Sequence, residues 1–336
     1  MLKNLLEKNN NDKKVWFLRQ AGRYLPEYQT IRKNEKSFLD FCFNKDCVFE
    51  ATFQPIRRYD LDAAIIFSDI LVIPYILNRD ISFIDGFGPN LCPLNKGEEK
   101  NLYVDEKKLK DLFSNYQAIT EIRKKLNKNK SLIGFSGGAW TLSCYMIDGN
   151  SKGGFAKSLN WLKNFNKNLE DLIDILIIYI VEHLYKQYLY GCDTLMIFES
   201  WAGIVPEEYI KSFIFYPSKR IISLLKEKGV NATFVVFPRG ISKLVIDYDD
   251  YVKPDILSLD QDIDIKWAVK NFDKEKVLQG NICPQKLLKG DDDLFREIEE
   301  LKECVLNRPH VFNTGHGILP QTKPETVSKV LDLLRS

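Results

Sequence analysis

The chain is poor in the residues that build metal and disulfide sites. It has three histidines, His183, His310 and His316, and none stands in H-x-x-x-H or H-x-C spacing, so no recognisable zinc-ligand set is offered. Its seven cysteines, Cys42, Cys47, Cys92, Cys144, Cys192, Cys283 and Cys304, are odd in number, scattered and never in C-x-x-C spacing. That pattern excludes a disulfide framework and a paired-thiol site, and it fits reduced thiols in a cytoplasmic protein. An excess of charge of either sign is also missing. Lys+Arg 48 against Asp+Glu 46 leaves +2, which argues against an electrostatic nucleic-acid partner. Long apolar runs are absent as well. The greasiest, Ile175 to Val181, is flanked by Asp174 and Glu182 and falls far short of the ~20 residues of a membrane span, so no membrane partner is expected. Met1 to Lys14 is charged and asparagine-rich and does not read as a secretory signal. Residues 1–12 are expected to form a flexible segment ahead of one domain over 13–336. Neither G-x-G-x-x-G after an early strand nor a P-loop occurs, which leaves dinucleotide and nucleotide-triphosphate readings without support.

Arginine is scarce too, twelve residues against thirty-six lysines, yet three fall within fourteen positions in Arg19-Gln20-Ala21-Gly22-Arg23-Tyr24-Leu25-Pro26-Glu27-Tyr28 and the nearby Arg32. A guanidinium presents a planar fork that matches a carboxylate or phosphate through two bonds, which an ammonium cannot do. The segment reads as a grip for anions.

Short β-branched or aromatic runs alternate with helix-like stretches, the pattern of a parallel sheet. Eight such runs stand out: Val15–Leu18, Ala63–Phe67, Leu132–Phe135, Thr194–Phe198, Thr233–Phe237, Asp255–Leu259, Val277–Gln279 and Val311–Asn313. Between them lie stretches such as Phe155 to Tyr190, where leucines recur at helical spacing. The runs are followed in turn by Arg19, Ser68-Asp69, Ser136-Gly137, Glu199-Ser200, Arg239, Asp260, Asn281 and Gly315-His316-Gly317. Polar groups at the carboxyl ends of eight strands predict an α/β fold, a single (β/α)8 TIM-type barrel with its site at that face. Gly134-Phe135-Ser136-Gly137-Gly138 predicts a close backbone approach to a ligand. His183, inside a helical pattern, reads as structural.

These residues also carry a family resemblance. The block from Val15-Trp16 through Arg19 to Tyr28, then Gln54-Pro55-Ile56-Arg57-Arg58 and Asp62 through Pro74, resembles the uroporphyrinogen decarboxylase family of the haem pathway. Later blocks agree in order: Trp140-Thr141-Leu142 with Tyr145-Met146-Ile147, Phe198 through Gly203, Gln279-Gly280-Asn281 and Phe312 through Ile318. The resemblance runs from about residue 13 to the end. The family's usual proline is replaced by Ala139 and its usual acidic residue by Cys283.

The resemblance implies a homodimeric barrel that removes the four acetate carboxyl groups of uroporphyrinogen III to give coproporphyrinogen III, with no metal and no organic cofactor. Matched position by position, it places Arg19, Gln20, Ala21, Gly22, Arg23, Asp69, Tyr145, Ser200 and His316 at the tetrapyrrole substrate, with Asp69, Arg19, Tyr145 and His316 as the catalytic group. The chemistry agrees, because a pyrrole protonated at its ring carbon is its own electron sink and needs none of the borrowed ones. Arg19, Arg23 and Arg32 would hold carboxylates, Asp69 would face the pyrrole N–H groups, and His316 would titrate near neutral pH in substrate contact or proton traffic. Two rival readings are a corrinoid-linked methyltransferase of the same barrel superfamily and a non-catalytic tetrapyrrole-binding protein.

Overall fold

The computed structural model describes residues 1–8, 10–84 and 88–336. Its strands are β1 (Lys13–Val15), β2 (Ala63–Ile65), β3 (Ile81–Ile84), β4 (Gly88–Leu91), β5 (Ser131–Gly137), β6 (Thr194–Glu199), β7 (Thr233–Pro238), β8 (Ile256–Ser258), β9 (Val277–Gln279) and β10 (His310–Phe312). Eight of them form one parallel sheet in the order β1-β10-β9-β8-β7-β6-β5-β2, while β3 and β4 make a separate antiparallel pair. The two ends of the sheet meet at a seam. Asp62 N–H donates to the Val15 carbonyl at 2.8 Å, and Val15 N–H donates to Asp62 Oδ2 at 2.8 Å. The result is a nearly closed barrel, with helices between successive strands.

Each of the eight expected runs meets a strand: Val277–Gln279 coincides with β9, six others overlap with shifted ends, and Val15–Leu18 shares only Val15 with β1. Beyond Val15 a single backbone bond continues the ladder, Trp16 N–H to the Phe312 carbonyl at 3.2 Å, before a side chain beyond β10 takes over. Leu18 N–H donates to Asn313 Oδ1 at 2.8 Å, which peels the chain away from the ladder. The pair β3 and β4 is an addition to the expected elements, since Gly88 and Pro89 break the alternation that marks a strand. Phe155 to Tyr190 divides at Phe165 into two helices, Ala156–Asn164 and Asn166–Leu189. The longer one buries Leu169, Leu172, Leu176, Ile180 and Leu184 against the barrel, each side chain contributing about 1.5–3 kcal/mol of apolar burial.

Within residues 1–12, read from the sequence as a flexible segment, Leu2–Leu6 forms a 3-10 turn. It buries Leu2 and Leu5, and Leu2 N–H donates to Ser131 Oγ at the start of β5. Helix starts follow local chemistry. Asp105 Oδ1 accepts from the N–H groups of Lys107 and Lys108, and proline begins the helices Pro26–Arg32, Pro284–Lys289 and Pro324–Arg335. Cys283, at the Pro284 helix start, donates its N–H to Glu297 Oε1 at 2.8 Å, so a carboxylate from the following helix stands at this terminus.

Candidate active site

The carboxyl ends of the strands face one open mouth, and Arg19 lies on the rim of β1 with φ at +59°, in the left-handed region that costs a non-glycine residue about 1–3 kcal/mol. The loop on both sides of it is tied down. Gln20 N–H donates to the Phe17 carbonyl at 2.9 Å, and Ile318 N–H donates to the Leu18 carbonyl at 2.9 Å. The Arg19 stem lies across Gly317, where a Cβ would occupy the space of its Cγ, Cδ and Nε. Arg19 is open to solvent through the mouth yet surrounded by protein. Burial lowers its pKa, Asp69 and Tyr145 oppose the change, and Arg23 and Arg239 add to it.

Asp69 follows β2. Its Oδ1 accepts from Leu71 N–H at 2.8 Å, which closes the turn, and Oδ2 has no protein donor among the described residues. Burial raises its pKa, against the pull of the Leu71 bond and of Arg19. Tyr145 stands on the helix Ala139–Asp148 that follows β5, 9% exposed, with its ring edge-on to Phe155 at 5.4 Å. Burial raises its phenol, and the Trp201 indole N–H approaches the hydroxyl without forming an aligned bond. Ser200 sits half-buried in the turn after β6, and its hydroxyl has no protein partner among the described residues.

His316, in the loop after β10, departs from expectation. Burial, then Arg19 and Arg239, push it down to about 3, so the imidazole is neutral in the ligand-free chain and does not titrate near pH 7. Gln20 also differs. Its side chain is buried, accepting from Phe17 N–H at 3.1 Å and donating to the Ala63 carbonyl at 3.1 Å, so it braces the loop from below and leaves Ala21, Gly22 and Arg23 at the rim. Arg32 donates to the Glu35 carbonyl at 3.0 Å, at the end of its own helix.

Several strand-end polar groups turn away from the mouth. Glu199 is 1% exposed and accepts from Trp140 N–H, Thr141 N–H and Thr141 Oγ1 at 3.1, 3.1 and 2.8 Å, capping the helix that carries Tyr145. Burial pushes Glu199 up to about 7 against those bonds. Gly138 carries no side chain because a Cβ there would collide with the Glu199 carboxylate; the glycine-rich segment serves this internal contact. Asp260 accepts from Gly240 N–H and Asp262 N–H, and Asn281 donates to the carbonyls of Asp260 and Ile263. Arg239 does the reverse. The sequence marks it only as a strand-end polar group, yet its charge acts on both Arg19 and His316. The signal was present, an arginine directly after a strand in an arginine-poor chain.

Charge interactions thus link Arg19 with Asp69, Tyr145, Arg23 and Arg239, and both Arg19 and Arg239 with the neutral His316, while Ser200 stands in the turn after β6. Among the described residues no three His, Cys, Asp or Glu side chains are grouped to hold a metal ion. A surface groove of about 840 Å³ lies elsewhere, between the helices Asp292–Cys304 and Pro324–Arg335, and is lined by Glu299, Glu300 and Glu303. It has none of this constellation.

A parallel α/β barrel with unpaired arginines and the half-open carboxylate of Asp69 at the strand-end face defines the class, a barrel enzyme for a polyanionic small molecule. The comparison with known families is more specific. Residues 2–336 match the family model described as Uroporphyrinogen decarboxylase (URO-D), and the chain belongs to that family. It is 38% identical over 333 residues to uroporphyrinogen decarboxylase of Orientia tsutsugamushi (strain Boryong), covering 98% of this chain and 95% of the relative. It is 37% identical over 324 residues to the protein of the same name from Wolbachia sp. subsp. Drosophila simulans (strain wRi), covering 96% and 93%. Among solved structures, a methyltransferase from Methanosarcina mazei superposes with a TM-score of 0.79 at 18% identity, over 99% of this chain and 96% of that one. That likeness shows a common fold.

Proposed function

We propose that this chain removes the four acetate carboxyl groups of uroporphyrinogen III, giving coproporphyrinogen III and CO2, by the following use of its side chains. The observation that carries the reading is the family match over residues 2–336, joined to a mouth in which Arg19, within reach of the charges of Arg23 and Arg239, faces Asp69. Arg19 and Arg23 hold substrate carboxylates. Asp69 directs its open oxygen at the pyrrole N–H groups and offsets the positive charge that a pyrrole gains when its ring carbon is protonated. The bond between the acetate methylene and its carboxyl then breaks, CO2 leaves, and the electron pair passes into the iminium. Protonation of the exocyclic carbon makes the methyl group, and loss of the ring-carbon proton restores the pyrrole. Burial works against the ionised form of Asp69, which the Leu71 bond and Arg19 sustain, and the same low-dielectric setting strengthens the attraction of that carboxylate to a cation once one forms.

Tyr145 and Ser200 supply hydroxyl donors near the reacting acetate. His316, held neutral by burial and by the arginines, offers one donor and one acceptor nitrogen, and bound carboxylates favour its protonated form again. The reaction on this reading uses no metal and no organic cofactor. The protein acts as a homodimer in the cytoplasm; no helix among the described residues is long and apolar enough to cross a membrane, which is in keeping with that setting.

The test is anaerobic incubation of the purified chain with uroporphyrinogen III, with and without a chelator, followed by oxidation and chromatography. Stepwise appearance of products with fewer carboxyl groups, ending in coproporphyrin and unaffected by the chelator, is expected. Uroporphyrinogen recovered unchanged would overturn the reading in favour of a tetrapyrrole-binding role. Activity abolished by chelation and restored by zinc would overturn its metal-free part.

A further inference from the structure

Of the twelve arginines, nine direct the guanidinium at a protein acceptor. Arg57, Arg58, Arg123, Arg220, Arg296 and Arg335 pair with carboxylates, and Arg32, Arg79 and Arg308 donate to backbone carbonyls. The remaining three are Arg19, Arg23 and Arg239. Among the described residues their side chains have no hydrogen-bond acceptor and no acid within ion-pair distance, and all three lie on loops at the strand-end face. Arg239 Nε is in addition buried without a partner. A buried charged donor left unpaired is costly, and a mouth that leaves one open is incomplete until an anion enters.

The place of Arg239 in the barrel adds a second observation. In the order β1-β10-β9-β8-β7-β6-β5-β2, closed at the Asp62–Val15 seam, β7 is four strands from β1 in either direction. Arg239 therefore stands across the mouth from Arg19, whereas Asp69 and His316 follow the two strands that flank β1. Its backbone is fixed from both neighbouring loops. Arg239 N–H donates to the Glu199 carbonyl at 3.1 Å, Gly203 N–H donates to the Arg239 carbonyl at 3.0 Å, and Gly240 N–H donates to Asp260 Oδ2 at 2.7 Å. Gly203 and Gly240 make this mounting possible, because a Cβ on Gly203 would come within 2.5 Å of the Gly240 carbonyl oxygen.

We propose, resting on the decarboxylase reading, that Arg239 is a further substrate-binding residue, which clasps a peripheral carboxylate of the macrocycle on the side of the mouth opposite Arg19. A ring that carries acetate and propionate groups all round its edge cannot be held by cations at one side of a barrel. Arg239 supplies the missing side, and its planar fork suits a carboxylate. Because Asp69 lies beside β1, the pyrrole undergoing reaction is at the Arg19 side. The carboxylate on Arg239 belongs to a distant pyrrole and keeps its charge through the transition state, so the contact binds substrate and transition state equally.

Two variants test this, Arg239→Met, which keeps the length and removes the charge, and Arg239→Lys, which keeps the charge and removes the fork. With anaerobic steady-state kinetics, Arg239→Met should raise KM by about 10- to 100-fold, the range of one charge-assisted hydrogen bond, with kcat within about twofold of wild type. Arg239→Lys should fall between. In Arg239→Met the His316 imidazole, followed by NMR, should become easier to protonate, a change that a merely structural role would not produce. An Arg239→Met protein with wild-type thermal unfolding and a KM within about twofold of wild type would overturn the clasp, as would a loss confined to kcat. If the wild-type chain itself fails to turn over uroporphyrinogen, the parent reading falls, and the clasp is decided separately by uroporphyrin binding through tryptophan fluorescence: equal affinity of wild type and Arg239→Met would sink it, and weaker binding by the variant would support it.

Discussion

Asp69 divides its carboxylate between two duties, and the division explains why one residue reads both as a turn former and as a site group. Oδ1 closes the turn onto Leu71 N–H, while Oδ2 is left to the mouth. An amide keeps the first duty and abolishes the charge of the second. Asp69→Asn should therefore fold normally and lose most activity. A charge pair at about 4 Å in an effective dielectric of about 20 is worth roughly 4 kcal/mol, which corresponds to a loss on the order of 10³-fold in rate. Single-turnover decarboxylation measures it, and wild-type-like rates in a folded variant would remove the charge-compensation role. Burial, reinforced by Arg19 and Arg239, keeps His316 uncharged. With its imidazole held down to about 3, the ligand-free protein should show no step in kcat/KM from this group between about pH 6 and 7, where an ordinary histidine titrates. A step in that range lost on His316→Gln substitution would contradict the neutral assignment.

At the scale of elements, loops reach the mouth because other loops leave room for them. Gly317 lies under the Arg19 stem, with nothing unusual in its own φ, so alanine is tolerated by the backbone and resisted by the neighbouring side chain. Gly317→Ala should leave unfolding nearly unchanged while displacing Arg19, and a misplacement of about 1 Å is enough to cost on the order of 10²-fold in kcat/KM. Unimpaired kinetics in this variant would mean that Arg19 has another productive position. The helix bearing Tyr145 depends on Glu199, which folding raises from 4.5 to about 7. Between those values the folded chain holds more protons than the unfolded one, so this group's contribution to stability falls as pH rises through the window. Glu199→Gln cannot ionise. Relative to wild type it should gain up to about 3 kcal/mol between roughly pH 5 and 8, seen in urea midpoints at a series of pH values. Parallel curves for the two proteins would show that Glu199 keeps an ordinary proton affinity.

For the whole molecule the critical join is the seam. Asp62 accepts from Val15 N–H and from Arg335 Nη2, both at 2.8 Å, so one carboxylate ties β1, β2 and the last helix together. Asp62→Ala should lower stability by about 2–3 kcal/mol, because it leaves a half-buried backbone donor and a guanidinium without their acceptor. Thermal unfolding and hydrogen exchange at Val15 would report it, and an unchanged melting temperature would mean that the sheet closes without this bond.

The order of strands and helices, the barrel they form and the arginine-rich segment were legible in the chain because each rests on neighbours in sequence. Apolar periodicity, β-branching and turn residues are local, and seven of the eight runs overlap strands well, the first sharing only Val15 with β1. Strand ends were less legible, since β1 ends where the Asn313 side chain intervenes from a residue far along the chain. The family resemblance also points to Asp69, Tyr145, Ser200 and His316 as substrate-site positions, which kinetics of their variants would decide. What the sequence could not assign was the direction of each strand-end side chain. Glu199, Asp260 and Asn281 occupy the same kind of position as Asp69 and Arg239, but bond inward to helix starts and loop amides. The protonation of His316 was equally hidden, because it depends first on burial and then on Arg19 and Arg239, which reach it from different strands of the barrel. Pattern along a chain sets the elements. Burial and Coulomb interactions act through space, so only the folded barrel decides which polar groups are spent on holding it together and which remain for a ligand.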